Sequence, residues 1–424
     1  MSSTPSFLSR AVTRRAALRG AAALAGTAFA GRALAQVSTI QQVLQQQQGW
    51  ADGFDLTAPG DAQLTSSAPS LTPRTADYMR GAIQRYQDLA ASGGWVYVPD
   101  AGLLQIGMVS PVVAVLRQRL IAGGDLNPVG GVTESFDSFV DAAVRRFQMR
   151  HGITADGLVG GETLRQLNIP VEVRIRQLQA NLARVQALPA NLGARHIVVN
   201  IPAAAIETVD GAMVYSRHDA VVGKIDRQTP VLDSSIFQTN FNPYWTVPAS
   251  IVRADLIPLM REDPNYLTEN NIRIFNSAGQ ELSPTAVDWN TNEATSYMFR
   301  QDPGEINSLG SVRMNFHNQF GVYLHDTPSK NLFGSDYRFH SSGCVRVQNV
   351  REFVSWILRD TPGWSRPEID AVIASGERVD VNVSSPVPLH MVYVNAWATP
   401  EGVVQFRNDI YDRDGLGLVG PTQA

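Results

Sequence analysis

The chain has one cysteine, Cys344, in 424 residues, and only two lysines, Lys224 and Lys330. A lone thiol has no intramolecular disulfide partner, so the fold must rest on buried apolar surface. Charged residues are only 17% of the chain and the formal charge is −4. That balance argues against general nucleic-acid binding, which needs basic surface to displace counterions from phosphates. Beyond residue 35, no stretch approaches the roughly 20 uninterrupted apolar residues of a membrane-spanning helix. Metal-site spacing is missing too. His317 and His340 stand in no zinc-like pattern with His325, and Asp156-Gly157 lacks the regular acidic positions of a calcium loop. No metal and no cofactor is expected.

What is present describes a globular protein of two or three domains, with 44% apolar residues. Residues 1–35 carry Arg10, Arg14, Arg15, Arg19 and Arg32 with no acid, so their removal takes the charge from −4 to about −9. Arg14-Arg15 precede the small, apolar run Gly20 to Ala30, and Ala33-Leu34-Ala35 offers small residues for cleavage before Gln36. This pattern predicts a twin-arginine export signal and a periplasmic location. Residues 36–73, glutamine-rich and then rich in Ser, Thr, Pro and Ala, predict a flexible tether.

Helical spacing then begins. Tyr78, Met79, Ile83, Tyr86 and Leu89 predict a helix that stops at Gly93-Gly94, within a scaffold segment 74–108. Residues 109–170 predict a three-helix module. Ser110-Pro111 provides a cap and first-turn proline ahead of Val113, Leu116 and Leu120. A second helix follows Ser135 with Phe136, Val140, Val144 and Phe147 inside, ending at His151, a position favourable to the helix dipole. Ile175, Leu178, Leu182 and Val185 mark a connecting helix in 171–193. From residue 194 the pattern becomes short, β-prone runs, with Asp210-Gly211 as a hairpin signal between His196–Asn200 and Ala212–Tyr215. These runs predict a mainly β domain over 194–385, interrupted by a loop-rich insertion at about 251–307 that starts with a helix. Asn349 with Glu352 reads as a capping box, and 386–424 as closing strands and a tail. The fold class is multidomain α+β.

The chemistry concentrates in Val322 to Asn349, VYLHDTPSKNLFGSDYRFHSSGCVRVQN. The apolar run into His325 predicts a strand, and Ser341-Ser342-Gly343-Cys344 predicts a tight turn nineteen residues on. A thiol attacks carbonyls as thiolate and needs a base, which a nearby imidazole supplies. Free cysteines are also often buried and structural, but the polar residues around Cys344 are not those of a core. The Gly343 and Cys344 N–H groups would form an oxyanion hole. The residues alone leave open a cysteine peptidase, a metallohydrolase, and a non-catalytic protein with an incidental thiol.

At this point a family resemblance appears. His325, the loop, and the string Ser-Ser-Gly-Cys-Val-Arg-Val-x-Asn resemble the signature of the YkuD-type L,D-transpeptidases, and LHDTPSKNLF and SSGCVRV look like its long Gram-negative branch. The likeness extends over most of residues 75–415. AVRRFQMRHGITADGLVGGETLRQLN resembles a peptidoglycan-binding module. The resemblance implies a YkuD-like catalytic domain with a helical scaffold and a lid insertion. Cys344 would be the nucleophile and His325 the general base and acid, with Tyr323, Arg346, Ser341 and Ser342 lining the substrate. Ser342 stands where short members have a second histidine, so a backbone carbonyl is expected to orient His325. The implied activity is formation of 3-3 cross-links between peptidoglycan stem peptides, from a donor tetrapeptide to an acceptor amine. Alternatives are L,D-carboxypeptidase action, attachment of an outer-membrane protein to the wall, and non-catalytic wall binding.

Overall fold

The computed structural model describes residues 67–420. The export signal and most of the tether fall outside the described residues. Among the described residues, no helix is long and apolar enough to cross a membrane. The last part of the expected tether is in fact docked. Ser70 donates its N–H and hydroxyl to Glu207, both at 2.8 Å, and Leu71 is buried. The Val214 N–H and Arg217 Nη2 also donate to the Ser67 and Ala68 carbonyls, at 2.7 and 2.9 Å.

Helices α1 (Thr75–Ala91) and α5 (Val171–Gln186) pack together through Met79, Ile83, Tyr86, Leu178 and Val185. Between them in sequence lies the three-helix module: α2 (Pro111–Gly123), α3 (Ser138–Arg150) and α4 (Gly161–Leu167). Ser110 caps α2 by accepting from the Val112 N–H, with Pro111 in the first turn, and Asp137 caps α3 by accepting from the Phe139 and Val140 N–H groups. The predicted stripe of Val113, Leu116, Leu120, Phe136, Val140, Val144 and Phe147 is fully buried and forms the module's core. His151 differs from expectation. It is sandwiched between the rings of Phe147 and Phe406, its Nδ1 bonds the Phe147 carbonyl, and burial drives its pKa well below the usual value. It is a neutral packing residue and carries no charge for the helix dipole.

The β-rich region is a nine-stranded sheet closed on itself. Its strands are β1 (Arg195–Asn200), β2 (Ala205–Asp210), β3 (Met213–Gly223), β4 (Leu232–Phe241), β9 (Val312–Phe316), β10 (Leu324–His325), β11 (Phe339–Ser341), β12 (Val345–Val347) and β13 (Val379–Val392), in the order β11-β3-β12-β10-β9-β4-β13-β1-β2. Pairing of β2 with β3 closes the barrel. The Asp210-Gly211 turn joins β2 to β3, so the sequence reading missed β2, whose AIETVD hides its period behind a buried glutamate and threonine. The strand expected to end the domain at 385 runs on to Val392, with a register shift between Asn382 and Val387, and pairs with both β1 and β4. Inside the barrel sit Leu324, Met314, Val345 and Leu389. Helix α6 (Val350–Leu358) adds Phe353, Val354 and Ile357, and α7 (Arg366–Ser375) adds Ile369. Asn349 precedes α6 in a left-handed conformation with no side-chain cap, so the capping box does not form.

The insertion has its own small sheet, β5 (Trp245–Val247), β6 (Ile272–Phe275), β7 (Glu281–Leu282) and β8 (Met298–Gln301), which the loop-rich reading did not anticipate. Its helical part, residues 249–262, contains a π turn at Val252–Leu256. The hairpin β14 (Ala396–Ala398) and β15 (Val404–Phe406) returns to α1 and α5 and completes their core.

Candidate active site

Side chains in a sheet alternate between faces, and residues paired across strands share a face. In the parallel pair β10 and β12, Leu324 is opposite Val345 and His325 is opposite Arg346; in the antiparallel pair with β9, His325 is opposite Arg313. Leu324, Val345 and Met314 therefore fill the core, while His325, Arg346 and Arg313 form one row on the other face. Tyr323 and Cys344 each lie two residues before His325 and Arg346, on that same outer face and side by side. The row continues through Asn240 on β4 to Asp380 on β13. Asn240 accepts from Arg313 Nε at 3.0 Å and donates to Asp380 at 2.7 Å.

His325 is almost fully buried, and its Nδ1 donates to the Asp326 carbonyl at 2.5 Å. A backbone carbonyl thus fixes the tautomer and leaves Nε2 as the basic atom. Asp326 is itself anchored, accepting from the Ser311 N–H at 2.9 Å and hydroxyl at 2.8 Å and pairing with Lys330. Burial would raise the Asp326 pKa, but these partners hold it below its usual value. Gly310, at φ +59°, leaves room that a Cβ would take from the Asp326 carboxylate.

Cys344 is half-buried. Burial pushes its thiol up to about 11, although the Tyr323 backbone and hydroxyl and the Arg346 and Arg313 charges act to lower it. Burial, then the charge of Arg346, holds His325 down to about 3. Burial thus disfavours the charged form of both groups and works against a thiolate–imidazolium pair at rest. The Tyr323 ring stands edge-on to His325 at 5.7 Å, with its hydroxyl against Cys344 and Trp245; burial raises its pKa. Arg313 lies over the Tyr323 ring at 5.4 Å. Arg346 has no carboxylate partner among the described residues and its Nε is buried without an acceptor. Burial lowers its pKa, opposed by Cys344.

Two expected roles change. Ser341 is buried, its hydroxyl donating to the Cys344 carbonyl at 2.5 Å and accepting from the Gly343 N–H at 3.1 Å. It braces the turn and cannot line the substrate. The Gly343 N–H, being taken by Ser341, is not an oxyanion donor; what Gly343 contributes is its φ of +113°, which lets the turn close. The Cys344 N–H has no intramolecular acceptor among the described residues. Ser342 is exposed and accepts from Arg227 Nη1 at 3.0 Å. The sequence reading missed Arg313, Asp326 and Trp245. For Asp326 the signal was adjacency to His325; for Arg313 it was alternation with the buried Val312 and Met314; Trp245, at the start of the insertion, gave none.

The family model described as "L,D-transpeptidase catalytic domain" (YkuD) matches residues 194–381, and the one described as "Putative peptidoglycan binding domain" matches 110–167. A protein of Haemophilus influenzae described as "Putative L,D-transpeptidase" is 33% identical over 241 residues, covering 56% of this chain. The chain spans about half, 48%, of that relative's length. Solved L,D-transpeptidases from Xylanimonas cellulosilytica and Stackebrandtia nassauensis are 15% and 12% identical, with TM-scores of 0.22 and 0.25. They cover 69% and 68% of this chain, and 98% and 94% of their own lengths are matched. At these values neither superposition bears on the chemistry. The sequence matches and the site together identify the chain as carrying a YkuD-type L,D-transpeptidase catalytic domain with an adjacent peptidoglycan-binding module.

Proposed function

We propose that the chain is a cysteine L,D-transpeptidase that forms 3-3 cross-links in peptidoglycan. The observation that carries this reading is the shared outer face of β10 and β12, which presents Tyr323, His325, Cys344 and Arg346 together. With the charged forms of both partners disfavoured by burial at rest, His325 Nε2 takes the thiol proton as Sγ attacks the carbonyl of the third, diamino-acid residue of a donor tetrapeptide. The Cys344 N–H receives the developing oxyanion, a contact of a kind typically worth about 3 kcal/mol. The imidazolium then gives its proton to the departing amine of the terminal D-alanine, leaving a thioester. An acceptor amine attacks the thioester, His325 takes its proton, and Sγ leaves and regains a proton. Arg346, a guanidinium without a carboxylate partner among the described residues, suits a substrate carboxylate. Export to the periplasm belongs to the same reading and is supported by Arg14-Arg15 and the small-residue run after them.

Intact-mass analysis tests it. The native chain incubated with a tetrapeptide muropeptide should gain the donor's mass less one alanine, and a carbapenem should add to it once. Cys344→Ala should do neither. Mapping the products assigns the acceptor: cross-linked dimers for transpeptidation, tripeptides for carboxypeptidase action, protein-linked muropeptides for attachment of an outer-membrane protein. Undiminished cross-linking by the Cys344→Ala variant would overturn the assignment and favour wall binding by the helical module alone.

A further inference from the structure

Resting on the acyl-transfer reading, we propose that Thr229 is the positioning residue that aims the oxyanion donor. Thr229 lies in the loop between β3 and β4 and is fully buried. Its hydroxyl donates to the Gly343 carbonyl at 2.9 Å and accepts from the Gly223 N–H at 2.8 Å, so both its hydrogen-bonding capacities are fixed. The loop is clamped from behind by Tyr411, whose hydroxyl donates to the Gly223 carbonyl at 2.5 Å and accepts from the Thr229 N–H at 3.2 Å. Tyr411 in turn stacks on Tyr393 at 5.5 Å, and its N–H donates to the Tyr393 hydroxyl at 2.9 Å.

The consequence follows from peptide planarity. In a trans peptide the carbonyl and the next N–H point in opposite directions. By holding the Gly343 carbonyl toward the β3–β4 loop, Thr229 turns the Cys344 N–H away from it. The other N–H of the turn, that of Gly343, is held by Ser341. Gly343 has the loosest backbone of the four turn residues, so without the Thr229 bond this peptide would turn more freely about ψ of Gly343 and φ of Cys344. A donor that wanders stabilises an oxyanion poorly, because the benefit depends on its being oriented before the charge forms. Thr229 touches neither thiol nor substrate in this account; it acts through the peptide.

The test separates this role from general packing. Acylation of Cys344 by a carbapenem passes through an oxyanion, whereas alkylation by iodoacetamide is a displacement at carbon and needs none. Thr229→Val keeps the shape and removes the hydroxyl, and Thr229→Ser keeps the hydroxyl. Thr229→Val should lower the acylation rate by about 10- to 100-fold while changing alkylation by less than about threefold, and Thr229→Ser should acylate near the native rate. Equal losses in both reactions, native acylation by Thr229→Val, or failure of Thr229→Ser to outperform it would overturn the proposal. Should Thr229→Val fail to fold, Tyr411→Phe loosens the same loop and should show the same selective loss at smaller size, a uniform loss or none counting against it. If the native chain is alkylated but never acylated, the acyl-transfer reading fails together with this one; failure at Thr229 alone leaves that reading standing.

Discussion

The barrel that bears Cys344 and the insertion between β5 and β8 are both built around sheets, yet they are held in opposite ways. The barrel is closed by hydrogen bonding, and its core runs from β1 to β13 without a break. The insertion has a separate core of Val252, Leu256, Leu267, Ile274 and Phe299, none of which belongs to the barrel's core. It meets the catalytic face through individual groups, such as Trp245 against the Tyr323 hydroxyl and Asp255 against Arg227. A closed sheet fixes atoms to the tolerance that acyl transfer needs, while a unit with its own core can shift as a body without unfolding. Chemistry should therefore be lost through the barrel, and adjustment through the insertion.

The largest effect should come from the barrel's outer face. His325→Gln should lower the acylation rate of Cys344 by about 100- to 10,000-fold with little change in substrate affinity. A loss below tenfold would remove His325 from the chemistry and with it the reason for a rigid barrel. Next is the pH dependence of iodoacetamide alkylation. With the thiol pushed up to about 11 by burial, only the protonated form predominates at neutral pH. The rate should climb roughly tenfold per pH unit toward a midpoint near 11. An ion pair already formed at rest would instead give a flat, fast rate from weakly acidic pH upward. On the acid side, His325 is neutral when folded down to about 3 but takes a proton near 6.5 when unfolded. The unfolded chain then holds the extra proton between these values, so stability should fall as pH drops below 6.5.

A matched pair of core truncations sharpens the contrast. Leu324 and Leu267 are both fully buried, one between Tyr323 and His325 in the barrel, the other in the insertion. Each leucine-to-alanine change should cost about 2–5 kcal/mol locally. Leu324→Ala should lower the global melting temperature and the acylation rate together. Leu267→Ala should raise hydrogen exchange in residues 245–301 and leave alkylation of Cys344 near native. Similar profiles for the two would mean that the insertion and barrel unfold as one body.

How much of this could be read in the sequence followed the same division. Where local chemistry sets the structure, the residues declared it: Ser110-Pro111 as a helix start, the buried stripe of α3, the strand into His325, the turn at Gly343. Where distant partners decide, they did not. Strand β2 is legible only once Glu207 has met Ser70 and Arg217, and the small sheet of the insertion only once β5 and β8, fifty residues apart, have paired. Cys344 and His325, proposed as nucleophile and base, were singled out by spacing, residue type and family resemblance. The reassignment of Ser341 from substrate to turn, and of Gly343 from donor to hinge, depended on bond directions that a string of letters does not carry.

The smallest expected effect lies at the insertion's edge. Arg227 contacts the two Asp255 oxygens at 2.5 and 2.8 Å, and the same guanidinium donates to Ser342, two residues from Cys344. Asp255 sits in the π turn, an irregularity often found where a helix has to present a functional group. Hydrogen bonding to Asp255 raises the Arg227 pKa. Both side chains remain partly exposed, so the pair should contribute no more than about 1 kcal/mol, enough to bias a closed position and too little to lock it. Asp255→Asn should therefore leave the melting temperature unchanged, raise hydrogen exchange over residues 249–262, and alter KM for a muropeptide by about two- to fivefold with kcat retained. High salt should move the native protein the same way, because screening weakens exposed pairs first. A kcat loss beyond tenfold would instead place Asp255 in the chemistry, and the division between a fixed barrel and an adjustable insertion would have to be redrawn at that residue.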